Sequence, residues 1–153
     1  MILPHGADYG NNPDPDMWRR TQNFFHSLVT HGVLSPDLLL RCQVNCKLRN
    51  RLALAQDEWF KTFWQRESIS PALSEFVYQH IPEYSGLQVA RLKPTDRLEA
   101  DLYWTQVCWF DWEMDLYDDV LQCFGKDISE EFDFDTVRTL DDLMQKLACY
   151  LGL

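Results

Sequence analysis

An aspartate or serine able to cap a helix is followed at once by proline at Asp14-Pro15, Ser35-Pro36 and Ser70-Pro71. A carboxylate or hydroxyl there can accept the orphan amide protons of a first helical turn, and proline at the first position gives up no hydrogen bond. Each signal is followed by apolar residues at helical spacings. The first stripe is Trp18, Phe25 and Val29, with Phe24 and Leu28 beside them, and it ends at Gly32. The second runs through Leu38, Leu39, Cys42, Cys46, Leu48, Leu52, Ala55, Trp59 and Phe63, as one long helix or two joined between Asn45 and Asn50. In the third, Leu73, Phe76, Val77, His80 and Ile81 share a face that Pro82 and Gly86 close, and a long loop over 82–98 follows.

Two more helices are expected beyond that loop. One spans Trp104 to Cys123 with Val107, Phe110, Met114 (or Tyr117) and Leu121 inward; the other buries Leu140, Leu143, Leu147 and Leu151. Asp133, Phe134 and Asp135 mark a turn between them. The expected fold is therefore all-α. Residues 1–13 read as an irregular arm, 14–66 as a helical segment and 71–153 as an acidic helical bundle. The short join from Glu67 to Pro71 favours packing of the two helical parts over a flexible tether.

Charge divides the chain more sharply than hydropathy does. Residues 1–70 hold eight Lys/Arg against seven Asp/Glu, whereas residues 71–153 hold six against seventeen, giving +1 and −11. So acidic a half repels phosphate backbones and anionic lipid, which argues against nucleic acid and membrane and points to proteins with basic surfaces. The N-terminus lacks a basic region followed by an apolar run, and no uncharged apolar segment is long enough to span a bilayer. A cytoplasmic protein is expected. The five cysteines, Cys42, Cys46, Cys108, Cys123 and Cys149, lack C-x-x-C spacing and read as reduced, mostly buried thiols.

The order of signals from Leu92 to Leu151 resembles that of acyl carrier proteins. Pro94, Thr95, Leu98, Asp101 and Leu102 match the loop motif of that family. Phe124-Gly125 and Ile128-Ser129-Glu130-Glu131 match the end of its acidic second helix and the step after it, and Val137-Arg138-Thr139-Leu140, Asp142 and Leu143 match the start of its last helix. The similar region covers about 71–151. It implies a carrier-like helical bundle with an additional N-terminal helical segment packed against it, whose second helix presents acids to basic patches on partners. The serine that carries the phosphopantetheine arm in that family is missing. Gln106 or Phe110 stands at its position, depending on the direction of counting, and no serine lies between Ser85 and Ser129. The resemblance thus implies the shape without the carrier's chemistry, and no cofactor.

Asp111, Asp115 and Asp118 share one side of the acidic helix, with Glu113, Asp119 and Trp112 nearby, and these six are the candidate partner-binding residues. A metal reading would need oxygen ligands converging from more than one element, or the alternating ligands and central glycine of a calcium loop; neither pattern is present. Like charges on an open helix face stay ionised and solvated, which disfavours acid/base catalysis. Cys42 and Cys46, even with His26 beside them, fall short of a zinc site, and no histidine, among His5, His26, His31 and His80, sits in a family motif with a cysteine. Glycine-rich phosphate loops, G-x-S-x-G and H-E-x-x-H are absent from the sequence, so no enzyme is expected.

The resulting expectation is a non-enzymatic interaction protein. Three alternatives stand beside it. An immunity or antitoxin protein would use the same acids against a basic toxin. A working carrier would be modified at an atypical residue such as Thr105. The run from Asp37 to Ala53, with Trp59 after it, also faintly resembles the second half of an F-box, without that family's leading Leu-Pro segment. Arg41, Lys47, Arg49 and Arg51 on the same run are either solvated or a dock for an acidic surface, the chain's own second half being one candidate.

Overall fold

The structure, a computed structural model, describes residues 35–153, and every helix it describes lies within Pro36–Leu153. The arm expected over 1–13 and the helix expected from Asp14 to Gly32 lie outside the described residues. Among the described residues six α-helices form: α1 (Leu38–Leu48), α2 (Gln56–Phe63), α3 (Pro71–Ser85), α4 (Trp104–Val107), α5 (Trp112–Phe124) and α6 (Leu140–Leu151). Single 3-10 turns lie at Gln65–Glu67, Val89–Arg91 and Phe134–Thr136. Among the described residues the only β pairing is one isolated antiparallel bridge, Arg97 to Thr139, so the class is all-α.

Local chemistry accounts for most of the helix starts. Ser70 Oγ accepts the Leu73 amide at 3.1 Å with Pro71 at the first position, as its spacing predicts. Thr139 and Asp142 cap α6 reciprocally: Oγ1 accepts the Asp142 amide at 3.1 Å, and the Asp142 carboxylate accepts the Thr139 amide at 2.8 Å. At the Ser35-Pro36 signal the start falls later. Asp37 is the cap, taking the Leu40 amide at 2.9 Å, while its own N–H donates to Gln106 O at 2.9 Å and holds it out of the helix.

The second stripe resolves into two helices with a break from Arg49 to Ala55. Only Val44 and Leu48 of α1 are buried, one turn apart, so Cys42 and Cys46 fall on the opposite side and are exposed. The expectation of mostly buried thiols is corrected elsewhere as well: Cys123 and Cys149 are also exposed and only Cys108 is buried. Helix α3 runs through Pro82 to Ser85 and stops at Gly86, whose φ of +67° suits glycine. That glycine has a second role. A Cβ there would lie 2.6 Å from the Arg41 side chain, which passes over it to donate from Nε and Nη2 to Val107 O at 3.2 and 2.5 Å.

The single helix expected from Trp104 to Cys123 is broken. After α4 the backbone extends at Cys108 (φ −75°, ψ 158°), and the Trp109 amide donates to Tyr84 O at the end of α3, at 3.2 Å. This tertiary hydrogen bond resets the helical phase before α5 begins. The inward stripe of α5 is consequently Trp112, Leu116 and Val120, and Met114 and Leu121, expected inside, face out together with Phe110.

One core joins these elements, drawing Val44 and Leu48 from α1, Trp59 from α2, Leu73, Phe76 and Val77 from α3, Leu116 and Val120 from α5, and Leu140, Leu143 and Leu147 from α6. Trp59 is fully buried; its indole N–H donates to Leu92 O at 3.0 Å and its ring meets Trp64 and Tyr78 edge-on at 5.3 and 5.5 Å. Burying that N–H without a partner would cost about 1–3 kcal/mol, so the hydrogen bond makes a tryptophan tolerable there.

Candidate functional site

From Leu98 through Gly125 the chain contains no lysine or arginine, and this stretch supplies α4, α5 and their connection. With Leu116 and Val120 facing the core, the helical period places Met114, Asp118 and Leu121 on the opposite side of α5. Asp111 and Asp115 flank this stripe on one edge and Glu113 on the other. Met114 and Leu121 on this side are 69% and 45% exposed, and Phe110 and Trp109, just before the helix, are 54% and 41% exposed.

Of the six residues singled out from the sequence, Glu113, Asp115 and Asp118 are exposed and Asp111 is half-buried at the first turn. Trp112 and Asp119 are placed differently. Trp112 is a core residue at 6% exposure, edge-on to Trp104 at 5.5 Å and to Phe134 at 4.5 Å, so it is absent from the exposed side of α5. Asp119 turns toward α3, where it accepts the Tyr84 hydroxyl at 2.6 Å. Both corrections follow from the phase of α5, which the break before it sets.

Electrostatics mark Asp115 within this face. Partial desolvation, then the carboxylates of Asp111, Asp119 and Asp118, push its carboxyl up to about 6 although the residue is exposed. Glu113 is raised too, by desolvation and then by Asp135. Positions in the first turn gain from the helix dipole, but the gain is no more than about 1 kcal/mol and does not offset this crowding.

A cavity of about 500 Å³ opens beside Trp112 and Glu113 at the start of α5. Leu98, Trp104, Trp112, Phe134 and Val137 provide its apolar lining, with Arg138 and Glu113 among the charged residues that border it. The Trp104 indole N–H has no hydrogen-bond partner among the described residues. Neither position aligned with a carrier serine supplies a nucleophile: Gln106 and Phe110 are exposed, and the nearby Thr105 hydroxyl donates to Glu99 Oε2 at 3.0 Å.

One further cluster is only half legible in the sequence. His80 Nδ1 lies 3.2 Å from Glu83 Oε2 and 3.2 Å from Asp119 Oδ2. The i, i+3 spacing of His80 and Glu83 is visible in the sequence; the approach of Asp119 from α5 is tertiary and is not.

No protein-family model matches this chain, and no curated protein or solved structure matches it at a significant level.

Proposed function

We propose that the chain is a non-enzymatic protein-interaction module that docks a basic partner through the outward face of α5. The observation that carries this reading is the coincidence of exposed Met114 and Leu121 with Asp118 on the outward side of α5, edged by Asp111, Asp115 and Glu113, with exposed Phe110 just before the helix and no lysine or arginine from Leu98 to Gly125. Isolated exposed apolar residues are ordinary, but a row of large ones edged by a single sign of charge fits a partner with apolar anchors between lysines or arginines. Two acids of the face have carboxyls raised toward neutrality, so a cation brought against them relieves repulsion that the free protein carries.

A carrier-like shape is part of the proposal. The segments that carry the resemblance meet in space: the Leu98 amide donates to Arg138 O at 2.9 Å, the Leu140 amide to Asp96 O at 3.0 Å and the Asp141 amide to Pro94 O at 2.9 Å. In the role proposed, this bundle serves as a scaffold for α5 and bears no prosthetic arm.

The test is capture and identification of a partner from the native host with the immobilised full chain, followed by association kinetics. A basic partner whose association slows and loses salt dependence with Asp115→Lys/Asp118→Lys, and whose dissociation quickens with Met114→Ser/Leu121→Ser, supports the reading. A basic toxin as that partner would make the module an inhibitor. Unchanged kinetics in both double variants would refute it, as would a pantetheine adduct on Thr105 after co-expression with a phosphopantetheinyl transferase.

A further inference from the structure

Three side chains able to ligate a metal ion converge between α3 and α5. His80 Nδ1, Glu83 Oε2 and Asp119 Oδ2 come from two helices, and one ligand atom from each lies within 4.8 Å of the others. The imidazole is fixed in place: its ring lies 4.4 Å from that of Phe76 and stacks on Tyr84 at 6.1 Å. Nδ1 is shielded from solvent yet makes no hydrogen bond of acceptable geometry among the described residues, although two carboxylate oxygens stand 3.2 Å away. Nδ1 therefore stands equidistant from two carboxylate oxygens without a hydrogen bond to either.

We infer that His80, Glu83 and Asp119 form a zinc-type site that clamps α3 to α5. The spacing fits that ion. Ligands at 2.0–2.1 Å on a tetrahedral centre are about 3.3 Å apart, close to both distances from Nδ1. One imidazole with two carboxylates suits Zn²⁺ and its neighbours in the first transition row, whereas Ca²⁺ takes six to eight oxygens at longer range and Mg²⁺ keeps its waters. Outer-shell support is present: the Tyr84 hydroxyl donates to Asp119 Oδ2 at 2.6 Å, the kind of bond that holds a metal-bound carboxylate in register. Glu83 is exposed, its side chain 67% accessible, so a fourth position is open to water and the ion can enter from solvent.

The competing arrangement is a protonated imidazole held by the same two carboxylates, and metal titration separates the two. The full chain carrying Ser in place of the exposed Cys42, Cys46, Cys123 and Cys149 is titrated with Zn²⁺ by calorimetry and with Co²⁺ by visible absorption. Expected are one equivalent bound per chain, intense d–d bands of low-symmetry Co²⁺, and a rise in Tm with Zn²⁺. Asp119→Asn and His80→Phe should abolish all three. Glu83→Gln, at an exposed position that leaves folding intact, should weaken binding at least about tenfold, and Tyr84→Phe should weaken it about tenfold through the outer shell. The absence of one-to-one binding to the parent chain, or affinity and Tm shift unchanged in Glu83→Gln, would overturn the assignment.

Discussion

Arg51 and Asp96 form the one ion pair in which a buried carboxylate takes part among the described residues, with Arg51 Nη1 at 2.7 Å from Asp96 Oδ2. Asp96 is 5% exposed, and the same oxygen accepts the Lys93 amide at 2.8 Å. Arg51 also donates to Arg91 O at 3.2 Å, while Arg91 returns a hydrogen bond to Arg51 O. Part of the basic run thus meets the acidic half inside the molecule. Arg41 is likewise committed, to Val107 O, and only Arg49 among these arginines is exposed.

Arg51→Met should therefore cost stability. Removing one partner of a fully buried pair costs about 3–5 kcal/mol; Arg51 is about one-third accessible, so about 2–3 kcal/mol is expected here. Arg49→Met, which removes an exposed charge, should stay within about 0.5 kcal/mol. Urea unfolding of both variants is the measurement, and equal midpoints would show that the pair contributes nothing.

The phase of α5 makes an opposed pair of predictions. Leu116→Ala empties a core position and should cost about 2–5 kcal/mol, whereas Met114→Ala should be nearly neutral. A single unbroken helix from Trp104 with Met114 inward would reverse the order, so thermal melts of the two variants discriminate between the arrangements.

These two residues also show where sequence reasoning stops. Caps are local, and so Ser70 announces α3; the faces expected for α3 and α6 are buried except at His80 and Leu151, which are half-buried. Phase within the acidic helix is not local. It depends on the Trp109 amide finding Tyr84 O and on Cys108 adopting an extended conformation, which no periodicity within 104–123 records. Glu113, Asp115 and Asp118 are nevertheless surface residues as expected, because charged groups without a counter-ion stay in water. Trp112 and Asp119 are misplaced by the phase error alone. The His80 cluster needs α3 and α5 brought side by side, and sequence spacing holds only half of it.

Thiol reactivity provides an independent check on α1 and α4. Cys42, Cys46, Cys123 and Cys149 are exposed, while burial pushes the Cys108 thiol well above its ordinary range and withholds the thiolate that reacts. In the native protein four thiols should react with a disulfide reagent, and Cys108 only after denaturation. Protection of Cys42 or Cys46 in the native chain would contradict the orientation of α1.

Asp115 should make stability depend on pH in the direction opposite to an ordinary ion-paired acid. Its folded-state carboxyl titrates at about 6, against about 3.9 in an unfolded chain, so between those values the folded state holds the proton more tightly. Below about pH 4 the group is protonated in both states and costs nothing. As pH rises through 6 the folded protein must ionise it among Asp111, Asp118 and Asp119, and stability is lost. Asp115→Asn should then stabilise the protein at pH 7 by about 1 kcal/mol, once solvent screening of an exposed group is allowed for, and the difference should close near pH 4. The comparison must be between variant and parent at each pH, because Asp101 and Asp142, held below the usual carboxylate range by Arg97 and by backbone amides near Thr139, lose stability in acid in both proteins. Paired urea titrations at pH 4, 5.5 and 7 read the effect. A stability difference that is constant across that range would show that the carboxylates around Asp115 are not crowded in the folded state.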